Sequence, residues 1–441
     1  MEKTVVKTDF FGTESIWRIL IRIAPPVMLA QLIQALYNIV DSYFIGQFSG
    51  DGLTALSVIF PIQLVIVAFS IGIGSGVNII MARFYAQKQF VRADQVAGTG
   101  SVLAILTWAV FSVLAYLLLP FYVRTSASSP AAVSYAVTYG NIVCIGSLGI
   151  FLESVWTKVH QAGGNMRLPM IAQIVGALTN IVLDMVLIFG LGPFPELGIA
   201  GAAIATIIGQ FAAAAITGWK GFRRPPKAVI MRHYFTRILK MGSSYILMEL
   251  MCTVYIMALN IILAGFSDGA VTILGLYYKF QSFFFIPLLA LMTCIVPVLS
   301  YNFASKNYGR CKQLLIDSSI VSLLFMSVGV FCFECLPVQL ISLFSNDPEV
   351  LAIGVPAFRI IGISFFSAVF SLLTPVFFQA IGELLPSILL ALTRPIFCLI
   401  PIFWLLSLLG VNYTWLAFPA AETITGVLGI VLCVRQMRKW K

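Results

Sequence analysis

Apolar runs of roughly 20 residues recur along the whole chain, and nothing else in the sequence limits the fold as strongly. Their approximate limits are 17–45, 53–80, 97–120, 134–158, 167–190 and 197–220, then 238–264, 271–299, 314–337, 350–379, 385–409 and 413–434. A helix rising ~1.5 Å per residue crosses the hydrocarbon core in about that length. In lipid every backbone N–H and C=O must be satisfied within the segment or around a closed barrel, and these runs are continuous rather than alternating. The predicted fold class is therefore all-α and integral to the membrane, with about twelve transmembrane helices. Only 10% of the residues are charged, against roughly 25% in soluble domains, which excludes an ordinary cytosolic globule.

The net charge of +10 could point to nucleic acid, but the placement of the cations argues otherwise. Lys3, Lys7, Arg18 and Arg22 precede or open the first run, and Arg83, Lys88 and Arg92 lie between the second and third. Lys220, Arg223, Arg224, Lys227, Arg232, Arg237 and Lys240 crowd the middle, and Arg435, Arg438, Lys439 and Lys441 close the chain. The alternate loops are acidic or neutral apart from Arg124. By the positive-inside rule both termini and the central loop are expected on the cytoplasmic side of the cell membrane, with the cations touching anionic lipid and no nucleic acid. No removable signal peptide is recognisable at the N-terminus. The eight cysteines fall mostly within apolar runs and read as structural.

Gly221-Phe-Arg-Arg-Pro-Pro-Lys227 is basic and Pro-rich, as a linker would be. It suggests lobes at 1–220 and 238–441 with a cytoplasmic linker at 221–237. The two halves repeat at one shift of 218 residues, which carries Gln161-Ala-Gly-Gly164 onto Gln379-Ala-Ile-Gly382, Tyr37 onto Tyr255, Phe48-Ser49 onto Phe266-Ser267, Lys88 onto Lys306 and Pro130 onto Pro348. Six spans per half is an even number, so the expectation is two pseudo-symmetric six-helix lobes related by an axis along the membrane normal.

Within the first run, Gln31, Gln34, Asn38 and Asp41 share one helical face. A carboxylate mid-helix in lipid costs roughly 2.5–3.5 kcal/mol on insertion scales. Asp184 should lie at similar depth on the fifth span, where Gln173, Ala177, Asn180 and Asp184 share a face. Two like charges in a low-dielectric lobe favour holding a proton, or a small cation with Asn180 and the Thr206 hydroxyl as further ligands. The alternative is that each Asp is a packing residue satisfied by nearby amides and hydroxyls. Glu153, near Lys158, and Glu249, near Cys252, Thr253 and Asn260, admit both readings. In the second half Glu249, Glu334 and Glu422 are accompanied by Lys279, Arg359 and Arg394, so that lobe is expected to pair its charges internally. Pro25-Pro26 should bend the first helix, with Pro26 a candidate hinge. Gly72-Ile-Gly-Ser-Gly76 and the Gly201, Ala205, Gly209 ridge read as close helix packing. No metal-ligand pattern, P-loop or nucleophile elbow is present, so neither an enzyme nor an ATP-driven pump is expected.

Ala24-Pro25-Pro26 followed by Leu36-Tyr-Asn-Ile-Val-Asp41-Ser-Tyr-Phe-Ile-Gly46 resembles the opening of multidrug and toxic compound extrusion (MATE) transporters of the prokaryotic type. Pro61, the Gly72–Gly76 ridge, Gln161-Ala-Gly-Gly164 and Asn180-x-x-x-Asp184 follow in that family's order. The resemblance implies efflux of small organic drugs or dyes, typically cationic and aromatic, against entering protons or sodium, with no other cofactor. It carries coupling roles to Asp41, Asn180, Asp184 and Thr206. The substrate cavity would draw on Gln34, Tyr37, Asn38, Glu249 and Tyr255, and the protein would work as a monomer. The alternative is a lipid or lipid-linked oligosaccharide flippase of the related superfamily, kept open by Lys279, Arg359 and Arg394.

Overall fold

The computed structural model describes residues 8–126, 129–344 and 347–440; Lys3, Lys7 and Lys441 lie outside them. In chain order the helices are α1 (Phe10–Thr13), α2 (Ile16–Phe48), α3 (Gly50–Ala86), α4 (Phe90–Ser126), α5 (Pro130–Gly146), α6 (Leu148–Ala162), α7 (Arg167–Phe189), α8 (Gly198–Gly221) and α9 (Ala228–Ala264). Then come α10 (Asp268–Phe284), α11 (Ile286–Ala304), α12 (Tyr308–Cys335), α13 (Pro337–Ser342), α14 (Pro348–Ile381), α15 (Leu384–Leu392), a π-helical turn (Thr393–Leu399), α16 (Ile400–Ser407), α17 (Val411–Thr414) and α18 (Ala417–Arg438). No strand occurs among the described residues. Among the described residues eleven segments are long and apolar enough to cross a membrane, and twelve if α5 and α6, bent by 42° at Ser147, count as one span.

The repeated residues prove to be helix punctuation. Ser49 caps α3 by accepting the Gly52 N–H at 3.3 Å, and Ser267 caps α10 by accepting the Ala270 N–H at 3.2 Å. Pro130 and Pro348 each begin a helix, where a missing N–H costs nothing. Gly164 (φ 80°) and Gly382 (φ 83°) take the left-handed turn after their helices. Lys88 and Lys306 do the same, both at φ 57°. A left-handed L-residue costs about 1–2 kcal/mol, partly offset in glycine by its larger unfolded-state entropy. Lys306→Gly, at an exposed position, is therefore expected to stabilise the protein by about 0.5–1 kcal/mol. A purified variant that melts no higher than the parent would count against that reading of the turn.

The halves part company where their helices break. The fourth predicted span is kinked at Ser147, whereas its counterpart α14 runs unbroken. Conversely, α3 is continuous, but the equivalent stretch is divided at Phe285 into α10 and α11, with Pro287 in the first turn of α11.

The chain forms two compact units, and they exchange helix starts: one includes Pro25–Ile246, the other joins Asp9–Ala24 to Leu247–Lys441. The helix α2 thus changes unit at Pro25, beside the expected hinge, while its hydrogen-bonded course continues through both prolines. In the second unit Phe11 is fully buried, and its carbonyl accepts from Asn302 Nδ2 (2.9 Å) and Arg310 Nη2 (3.0 Å). Arg310 Nη2 also donates to the Glu14 carbonyl (2.6 Å), and Cys294 Sγ donates to that of Ile23 (3.4 Å). In the first unit the start of α9 takes the corresponding place against α3. A Cβ on Gly76 would meet the Ile238 carbonyl oxygen at 2.2 Å, and one on Gly242 would meet that of Gly72 at 2.2 Å. The glycine-rich stretch of α3 is thus a backbone-to-backbone crossing.

Candidate functional site

The first unit brings its acids together through one close helix contact. A Cβ on Gly209 of α8 would stand 2.7 Å from the Gly176 carbonyl of α7, and a Cβ on Gly176 would stand 2.8 Å from that of Gly209. With both side chains absent the two backbones touch, and Asn180, one turn beyond Gly176, is held against Thr206. The Asn180 amide donates to Asp184 Oδ2 (3.2 Å) and accepts from the Thr206 N–H (3.1 Å). The Thr206 hydroxyl donates to the Ala202 carbonyl at 3.0 Å.

Asp41 arrives from α2, and its carboxyl lies within hydrogen-bonding reach of that of Asp184. Both are buried, at 7% and 0% exposure. Asp41 Oδ1 and Asp184 Oδ1 have no donor among the described residues. Two carboxyls facing each other out of water, each with a bare oxygen, are stable only with a proton or cation between them.

Tyr139 on α5 completes the cluster and was not foreseen from sequence. Its hydroxyl accepts from Gln63 Nε2 (3.4 Å), lies within hydrogen-bonding reach of Thr206 and feels the charge of Asp41. A tyrosine in an apolar run carries no signal that separates such a role from core packing. Tyr37 is half-buried and feels the charges of Asp41, Asp184 and Glu153. In the rest of the α2 stripe Gln34 and Asn38 are exposed and Gln31 is half-buried. Glu153 stands apart from the pair as a tie between helices, accepting from Thr157 Oγ1 (2.6 Å) and Gln173 Nε2 (3.1 Å).

Among the described residues the second unit has no such pair. Leu259 occupies the position repeated from Asp41 and is fully buried. The expected internal pairing of its charges is seen where Arg394 Nε donates to Glu422 Oε1 at 2.7 Å. Lys279 is exposed and lies 5.1 Å over the Phe344 ring, and Arg359 is exposed. Glu334 Oε1 is buried without a donor. Spacing along a helix cannot say which face a long side chain leaves by, so a count of opposite charges overstated the pairing. Tyr255 is buried, with Cys252 Sγ 3.7 Å from its hydroxyl, and Glu249, about one turn before Cys252, is half-buried. Among the described residues no group of three His, Cys, Asp or Glu could hold a metal ion.

A bundle of membrane-spanning helices with an acid pair sealed inside one lobe belongs to the class of multi-pass membrane transporters. The MatE family profile matches residues 26–186 and again 245–405. The chain belongs to that family, the MATE transporters, which are not enzymes, and the two matches begin 219 residues apart, within one residue of the internal repeat. It is 24% identical to the multidrug export protein MepA of Staphylococcus saprophyticus over 96% of this chain and 94% of that one. It is 28% identical to the probable multidrug resistance protein NorM of Thermotoga maritima (79% and 77% covered), and 26% identical to an FAD transporter of Shewanella oneidensis (76% of each). Among solved structures, the outward-facing conformation of a multidrug resistance MATE family transporter superposes with a TM-score of 0.91 at 19% identity, covering 98% of both chains. A mutant form of the Vibrio cholerae MATE transporter VcmN gives 0.91 at 22% identity, covering 97% of this chain and 98% of that one. At such identities these two establish the fold.

Proposed function

We propose that the protein is a secondary active efflux antiporter of the cell membrane, exporting amphipathic, cationic organic compounds in exchange for protons or sodium. The observation that carries this reading is the buried Asp41–Asp184 pair with its two undonated oxygens. A proton shared by the carboxyls fits it; a sodium ion held with the oxygens of Asn180 and Thr206 would need the Asn180 amide turned, since its nitrogen faces Asp184. Gln34, Tyr37, Asn38, Glu249 and Tyr255 would line the drug's path, Pro26 would serve as hinge, and the monomer would be the working unit with both termini in the cytoplasm. The relatives named as multidrug exporters support this reading over a lipid flippase.

The energetics suffice. One charge crossing 100 mV is worth ~2.3 kcal/mol, and a tenfold ion gradient about 1.4 kcal/mol more. A monovalent cationic drug leaving against the same potential cancels the voltage contribution of one ion, so two entering ions leave about 5 kcal/mol, more than the roughly 2.8 kcal/mol that a hundredfold drug gradient needs. In everted vesicles, ethidium accumulation is expected to follow an imposed proton or sodium gradient, and a protonophore or sodium removal tells the two apart. Accumulation indifferent to both gradients would overturn the proposal.

A further inference from the structure

We propose that Arg394, with the tyrosines beside it, forms an anion-recognising subsite in the second lobe, so that the cargo extends to aromatic compounds bearing a carboxylate or phosphate. The proposal rests on the transport reading only in calling the ligand cargo.

Arg394 sits in the π-helical turn Thr393–Leu399, an irregularity that occurs mostly at functional sites in helices. Its side chain is 12% exposed and that of Glu422 is 4% exposed. Glu422 is fully engaged: Oε1 accepts from Arg394 Nε, and Oε2 accepts from the Ser371 hydroxyl. Arg394 is not, because Nε is its one hydrogen-bonding nitrogen toward the described residues. Neither Nη is among the fully occluded, partnerless atoms, so both keep some access. Glu422 and Ser371 thus hold the guanidinium by one edge and leave its terminal fork free. That fork matches the two oxygens of a carboxylate or phosphate.

The surroundings favour an aromatic ligand over a bare ion. The Arg394 guanidinium lies 5.6 Å over the Tyr255 ring. Tyr278 is 6.2 Å from Tyr255 between ring centroids, and its hydroxyl is buried without a partner. Aromatic rings, a phenol hydroxyl without a partner and a guanidinium edge without a hydrogen bond lie together in one unit of the fold. In the first lobe Gly176 holds the place of Arg394 and Glu153 that of Ser371, so the subsite belongs to the second lobe alone.

Riboflavin and flavin mononucleotide share a ring and differ by one phosphate, which makes them the probes. Their binding is read by flavin fluorescence on the full chain in phosphatidylcholine nanodiscs, where no anionic lipid headgroup competes. The parent is expected to bind flavin mononucleotide about ten- to a hundredfold tighter than riboflavin, as charge-assisted hydrogen bonds allow. In the double variant Arg394→Gln/Glu422→Gln, which leaves no buried charge unpaired, that preference should collapse to within about twofold while riboflavin binding persists. Tyr278→Phe, which deletes only a hydroxyl, should cut flavin mononucleotide binding several-fold. A parent without preference for the phosphate, or a double variant that keeps it, overturns the subsite. Ethidium efflux by the double variant is expected to persist. Binding is measured without a gradient, so failed antiport and a failed subsite are distinguishable.

Discussion

Asp41→Asn is expected to reduce ethidium efflux at least tenfold, to the level of cells lacking the protein, while the variant is made and inserted normally. The asparagine keeps the shape and leaves Asp184 with its Asn180 donor at 3.2 Å. It removes the second carboxyl, so no proton is shared across the pair and no cation is held by two charges. A driven process then lacks the roughly 2.3 kcal/mol that each charge supplies per 100 mV. Stability should not fall, because a like-charge contact between groups of 7% and 0% exposure has been removed. Lost efflux together with an unchanged or higher melting temperature is the expected pair of results. Efflux that survives at parental level in a correctly inserted Asp41→Asn protein would end the coupling model.

Gly209→Leu should be nearly as damaging although it touches no acid. The Gly176 carbonyl, 2.7 Å from the new Cβ, is backbone and cannot rotate away, and Asn180 Cβ is 3.1 Å from the same point. Overpacking costs typically 1–3 kcal/mol, and an immovable neighbour puts this site at the upper end. The helices must separate, which breaks the 3.1 Å contact between Asn180 and the Thr206 N–H. Efflux is expected to fall at least tenfold, with a lowered melting temperature. Gly275→Leu, on α10, is the control, since a Cβ there meets nothing within 4 Å. Parental efflux in Gly209→Leu would show that the glycine contact does not organise the site.

Much of the acid cluster proposed for coupling was legible in the sequence. Span counting placed Asp41 and Asp184 at one depth, because both helices run in the same direction from the same side. Helical spacing put Gln173, Asn180 and Asp184 on one face, and the contacts of Gln173 with Glu153 and of Asn180 with Asp184 agree. Tyr139 and Gln63 left no trace, because one tyrosine and one glutamine in apolar helices fit many surroundings. The internal pairing of the second lobe was read too generously, since Lys279 and Arg359 are exposed rather than paired.

The sequence by itself determined what is local and repetitive. Run length and lack of charge determine a helical membrane protein, the 218-residue shift determines the duplicated half, and serine, proline and glycine set the helix ends in both halves. Tertiary structure alone decided which faces meet. It set the exchange of Asp9–Ala24 into the second unit, the Gly176–Gly209 contact, the meeting of Asp41 with Asp184, and the Arg394–Glu422 pair. The physical reason is that lipid tails are as apolar as leucine. Hydropathy therefore drives each helix into the membrane and says nothing about its neighbour, which is chosen by close packing at small residues and by hydrogen bonds between helices far apart in the chain.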